Sequence, residues 1–245
     1  MAMNEPFDWR RSDRRLFALV AILFPVIIII GFAQTYYLKF AFGNRPLPLL
    51  VHLHGMLMSA WVIYFIAQVW LIRSKNARVH MRIGLAGIPL AIAIIIVGFL
   101  TAVAAAKYGP VTDAAPPDIP RLAFMAVPLF DMVVFAGLFA GAIYYRKRPV
   151  HHKRLMLLTA LNFVPPAIAR IPIPALRALG PLFFFGVPTV LAITLLIYDT
   201  WRNGKLNVPF LVGILLLIAS YPLRIIISST PEWMAFAAWL TTWAA

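Results

Sequence analysis

Seven apolar blocks dominate the chain, at 16–37, 49–72, 83–106, 122–145, 155–176, 181–200 and 208–229. Each is about 20 residues long, the length a helix needs to cross roughly 30 Å of hydrocarbon. In lipid every backbone N–H and C=O has to be paired within the protein, so such segments become helices. The expectation is an all-α, polytopic helix bundle, a single integral membrane domain spanning 1–245. Composition agrees: the chain is 62% hydrophobic and 12% charged, with a mean hydropathy of +0.87. A water-soluble domain carries about a quarter of its residues charged.

The absence of Cys rules out disulfides, thiolate metal sites, iron–sulfur clusters and thiol nucleophiles. A formal charge of +14 suggests nucleic acid until the charges are placed, and most fall in short loops between apolar blocks. With the N-terminus in the cytoplasm, segments 1–15, 73–82, 146–154 and 201–207 hold 15 Lys and Arg. The other side holds five, namely Lys39, Arg45, Lys107, Arg121 and Arg177. This threefold bias sets the orientation and makes the lipid bilayer, with its anionic headgroups, the natural neighbour. No nucleic-acid partner is expected, and the reading is of a multi-pass protein of the bacterial cytoplasmic (inner) membrane.

Arg10, Arg11, Arg14 and Arg15 before the first block suit a retained signal anchor. Gly31-Phe32-Ala33 leaves a cleavable signal peptide as the alternative. The loop 107–121, with Pro110, Pro116, Pro117, Pro120, Asp113 and Asp118, reads as an irregular external connector. In the tail 231–245, Trp233, Phe236, Trp239 and Trp243 recur at helical spacing and are expected at the external interface.

Ionisable groups inside spans are costly and need a partner, a cavity or a role. Asp131, Arg170 and Arg224 are such groups, and with Gln34 and His54 they share the outer or middle depth. Two readings stand. In one, the five form a buried polar cluster that binds an anionic substrate, a quinone or haem carboxylates. In the other, Asp131 neutralises one Arg while the second snorkels.

The histidines add a second theme. His80 precedes the third block and His151 and His152 the fifth, and both blocks run outward from the cytoplasm. His80 and one of His151 and His152 therefore lie at matching depth, where two imidazoles can hold the axial positions of a haem b iron or another metal. His80 and His152 are the favoured ligands. His54 starts from the opposite face and is roughly 39 Å from His80 along continuous helix, so it belongs elsewhere. His52 and His54 lie about 200° apart on a helix, so one of them faces the bundle. Pro165-Pro166 should kink the fifth block, and Gln68 and Asn162 suit interhelical hydrogen bonds. Ala136-Gly137 and Ala140-Gly141 suit close helix approach.

The stretches Val51-His52-Leu53-His54-Gly55, His80-Met81-Arg82-Ile83-Gly84 and His152-Lys153-Arg154-Leu155-Met156, followed by Arg170, resemble a group of bacterial multi-pass membrane proteins of unknown function. That group has a His early in one span, a His-Arg-x-x-Gly entry to the next, and a later His-Arg-x-x-Met span ending in Arg. The likeness covers the second to fifth blocks; Met81 and Lys153 depart from it. More distantly the arrangement is similar to transmembrane b-type cytochromes, which bind two haems through four His. This chain does not supply four suitably placed His.

Two functions follow as expectations. The first is b-type haem or quinone-linked electron transfer, with a redox protein as partner and His80, His151, His152, His54, Arg170 and Arg224 as candidate cofactor-binding residues. The second is a non-redox transporter or assembly factor built on Asp131, Arg170 and Arg224. A retinal protein is excluded, because the seventh block has no Lys for a Schiff base. Gly-x-Ser-x-Gly, His-Glu-x-x-His and Walker-type motifs are also missing.

Overall fold

The computed structural model describes residues 9–42, 46–109 and 119–243, without the side chains of 9–18 and 21. The basic flank Arg10 to Arg15, Arg45 and most of the proline-rich loop at 107–121 thus lie outside the described side chains or residues. Among the described residues all regular structure is helical. The elements are α1 (Trp9–Phe32), which continues as a π-helix (Ala33–Tyr37), a 3-10 turn (Lys39–Phe42), α2 (Leu49–Arg73), α3 (Ala77–Gly84) and α4 (Gly87–Tyr108). Then come α5 (Arg121–Phe124), α6 (Ala126–Tyr144), α7 (Pro149–Asn162), α8 (Val164–Ile168), α9 (Pro174–Arg177) and α10 (Pro181–Phe184). The chain closes with α11 (Gly186–Asn203), α12 (Val208–Ser228) and α13 (Pro231–Thr241).

Among the described residues, five helical segments are long and apolar enough to cross a membrane: Leu49–Arg73, Ala77–Tyr108, Arg121–Tyr144, Pro181–Asn203 and Val208–Ser228. They correspond to the second, third, fourth, sixth and seventh blocks. The fifth block is not one continuous helix. It is divided at Phe163, just before Pro165-Pro166, and ends in an irregular stretch before α9. Two consecutive prolines remove two helical donors, so the break falls where their missing N–H groups are needed. In the first block the described apolar stretch is the shorter Ile22–Tyr37.

A continuous core unites α1, α2, α4, α6, α7, α8, α11 and α12. At its centre Trp61 meets Phe135 edge-on at 5.1 Å, and Phe135 meets Phe163 at 4.8 Å. Small residues set the helix separations. A Cβ on Gly141 would touch Leu155 at 3.4 Å and one on Gly137 would touch Leu216 at 3.3 Å, so α7 and α12 seat against the Ala-Gly face of α6. At Gly31 the contact is tighter still, for a Cβ there would sit 2.2 Å from the Ala167 carbonyl oxygen.

A smaller cluster joins α13 to α4, α5 and α6. The tail's aromatic stripe is split between two environments. Trp233 is buried and its Nε1 donates to the Leu122 carbonyl at 2.9 Å, whereas Phe236, Trp239 and Trp243 stay exposed. Trp233 packs inward, where its indole N–H finds an acceptor.

Candidate functional site

His80 and His152 come together, with ring centroids 6.3 Å apart and planes at 77°. They are 72 positions apart in sequence and reach one another through three local devices. First, α3 ends at Gly84 and passes through a tight turn at Leu85 and Ala86, both right-handed helical, into α4 at Gly87. Second, Tyr64 fastens this turn by donating its hydroxyl to the Gly84 carbonyl at 2.9 Å. Gly87 allows that approach, since a Cβ there would lie 2.6 Å from the Tyr64 oxygen. Third, the His152 Nδ1–H donates to the Ala142 carbonyl of α6 at 2.8 Å. That bond fixes the ring and leaves Nε2 as its free lone pair.

His151, one position earlier, is engaged elsewhere. Its Nδ1 donates to Asn207 Oδ1 at 3.1 Å, and its ring packs on Tyr145 at 5.0 Å. The same Asn207 oxygen accepts from the Phe210 backbone N–H and caps α12. Successive helical residues point about 100° apart, so one histidine faces its counterpart and the other serves the next loop.

Gln68 is buried beside this pair. The Gln68 backbone carbonyl accepts from the His80 ring. Both amide atoms of Gln68, and Nδ1 of His80, are buried without a hydrogen-bond partner. Asn162 does make an interhelical bond, donating to the Asp131 carbonyl at 3.1 Å.

The buried polar cluster divides. Arg224 Nη1 donates to Asp131 Oδ1 at 2.6 Å, while its Nε and Nη2 donate to the carbonyl and hydroxyl of Ser220. Rings of Phe130, Phe185 and Tyr221 surround the guanidinium at 5.3 to 5.8 Å. Arg170 is separate: it donates to the Pro166 carbonyl at 2.6 Å and lies over Phe32 at 4.7 Å. His54 is within electrostatic reach of Arg170, and His52 is exposed. Gln34 makes contacts of its own on the π-helix. Arg170 follows α8, beyond the break at Phe163, whereas the histidine pair lies at the start of α7.

A second buried ion pair joins Arg154 to Asp199, tying α7 to α11. Arg154 Nε donates to Asp199 Oδ1 at 2.9 Å, Nη2 reaches the same oxygen, and Asn203 donates to it at 3.0 Å. Sequence reasoning missed this pair. Arg154 read as a loop charge, yet it begins its helix's buried face, and Asp199 stood unremarked within the sixth block. A carboxylate inside an apolar block is itself the signal that could have found it.

No group of three or more His, Cys, Asp or Glu side chains arranged to hold a metal occurs among the described residues. Set against protein-family models, curated proteins and solved structures, the chain matches none. The functional reading therefore rests on its own geometry.

Proposed function

We propose that the chain is a membrane electron-transfer protein of b-type haem character, in which His80 and His152 would hold the iron. The separation of their rings is the observation that carries this reading. Their ring centroids lie 6.3 Å apart, close enough for the two imidazoles to hold one ion between them. The donor set also fits, for two neutral imidazoles form a recognised ligation for haem iron. Haem at this position supplies a one-electron couple.

The remaining contributions come from the chain. The Ala142 carbonyl holds His152 in the tautomer that presents Nε2. Tyr64 holds the turn that follows the helix carrying His80. The apolar core around Trp61, Phe135 and Phe139 borders α2 and α6 beneath the pair and limits water, which favours the less charged state of a bound centre. His151 supports α12 and is not assigned to the iron.

The finer membrane reading belongs to the same proposal: seven crossings, with α1 and the broken α7–α8 completing the five long segments, the N-terminus in the cytoplasm and residence in a bacterial inner membrane. A quinone is the second candidate cofactor. His54 and Arg170 would receive its carbonyl oxygen at the opposite end. The transporter or assembly-factor alternative draws on Asp131 and Arg224, but every arm of that guanidinium already has an acceptor within the bundle, which supports a structural tie.

The test is an absorption spectrum with metal analysis on detergent-purified protein expressed with ample haem. A reducible Soret band with about one iron per chain is expected. A colourless, iron-free preparation would rule the proposal out.

A further inference from the structure

Three arginines of the bundle are served differently. Arg154 and Arg224 each meet a carboxylate, that of Asp199 and of Asp131 respectively. Arg170 meets none among the described residues: its Nη1 goes to the Pro166 carbonyl at 2.6 Å and its face lies over Phe32 at 4.7 Å. Nε and Nη2 have no acceptor among the described residues. They form the same side-on fork that Arg154 presents to Asp199. This edge suits the paired oxygens of a carboxylate or phosphate. A guanidinium in an apolar bundle is costly without a counter-charge. Here a second cation, Arg177, lies within electrostatic reach of the first, and it too has no carboxylate partner among the described residues.

Close contacts hold this fork in place. Gly31 lets α1 approach α8 so tightly that a Cβ would sit 2.2 Å from the Ala167 carbonyl oxygen, and the next residue, Phe32, meets Arg170. The π-helix that follows Phe32 is tied to α2 at two points. Tyr36 donates to the His52 carbonyl at 3.2 Å, and Tyr37 and Ser59 share a hydrogen bond of 3.0 Å. Gly55 admits the Tyr36 ring, which a Cβ would meet at 2.3 Å. His54 falls between these ties in the chain and within electrostatic reach of Arg170. It forms no hydrogen bond among the described residues and its ring nitrogens are not fully enclosed, so a ring N–H is available to an anion.

We propose that Arg170, with His54 and Arg177 beside it, binds the phosphate group of an anionic phospholipid. A phosphate gives two oxygens to the fork and a full negative charge to the two arginines. A neutral quinone carbonyl gives one acceptor and compensates neither cation. Exposed Ile173, Leu179 and Leu182 flank Arg177 along the chain and offer apolar surface to acyl chains, which favours a lipid over free phosphate. The site is separate from the histidine pair and needs no haem to be occupied.

The test titrates delipidated full-length protein in detergent with phosphatidylglycerol, phosphatidylcholine or inorganic phosphate and counts bound lipid by native mass spectrometry. One phosphatidylglycerol per chain should bind first, in preference to phosphatidylcholine, whose choline cation cancels the phosphate charge. Arg170→Gln should weaken that site roughly 10- to 100-fold, the range for losing charge-assisted hydrogen bonds. Arg170→Lys keeps the charge but not the fork and should fall between wild type and Arg170→Gln. If Arg170→Gln does not fold, Arg177→Gln takes its place with a smaller loss expected, because the Arg177 side chain makes no bond among the described residues.

An unchanged affinity for phosphatidylglycerol in the folded variant would overturn the proposal, as would equal affinity for the two lipids in wild type. Displacement of the lipid by millimolar inorganic phosphate assigns the site to free phosphate, and displacement by a short-chain quinone assigns it to a neutral ligand. Either result defeats the lipid assignment, and none of these outcomes bears on haem binding.

Discussion

Arg224 and Asp131 form a closed ion pair at the centre of the bundle, Nη1 lying 2.6 Å from Oδ1 with the arginine fully buried. They are 93 residues apart and join α12 to α6. Removing one member leaves the other charged, buried and unpaired. Arg224→Met alone should therefore destabilise the protein by about 3–5 kcal/mol. The double variant Asp131→Leu/Arg224→Met should recover most of that, because no orphan charge remains. Thermal melting of wild type and the two variants in detergent checks this, and a double variant as unstable as the single would contradict it.

Arg154 and Asp199 should respond to the shape of the cation as well as its charge. Nε and Nη2 of Arg154 converge on one carboxylate oxygen, a geometry that an ammonium on a flexible stem does not reproduce. Arg154→Lys is expected to lower the melting temperature markedly despite conserving charge. A melting curve superimposable on wild type would show that the fork geometry is unimportant.

The adjacent histidines separate ligand from cap. His152→Ala should abolish the reducible Soret band. His151→Ala should keep it and lose about 1 kcal/mol or less through the weakened α12 cap, in the range of capping effects. Parallel spectra and melting curves read both quantities, and loss of the band in both variants would mean that the two imidazoles are not distinguished as their contacts suggest.

Two glycines make contrasting controls on packing. A methyl at Gly31 would fall 2.2 Å from a backbone oxygen of Ala167, which cannot move without displacing α8. At Gly213 the nearest atom, at 2.6 Å, is the end of the Leu158 side chain, which can turn aside. Gly31→Ala should cost about 3 kcal/mol or more, and Gly213→Ala about 1 kcal/mol, within the range for overpacked sites. Equal melting temperatures for the two would contradict that ordering.

The apolar blocks alone determined that the chain is helical, where most helices start and stop, and that Pro165-Pro166 interrupt one of them. These are local consequences of hydrocarbon length, backbone pairing and proline chemistry. The level of one pair along the bundle was also readable, because rise per residue is fixed: His80 was expected level with His151 and His152, and it meets His152. Azimuth was not, since the rotation of each helix depends on which side chains pack between helices. Only the folded bundle therefore decided that His152 turns to His80 while His151 turns to Asn207, that Asp131 takes Arg224 and leaves Arg170 to Phe32, and that Trp233 faces inward. The Arg154–Asp199 pair belongs to the same class: two charges far apart in sequence meet because α7 and α11 pack together, and no spacing rule encodes that contact.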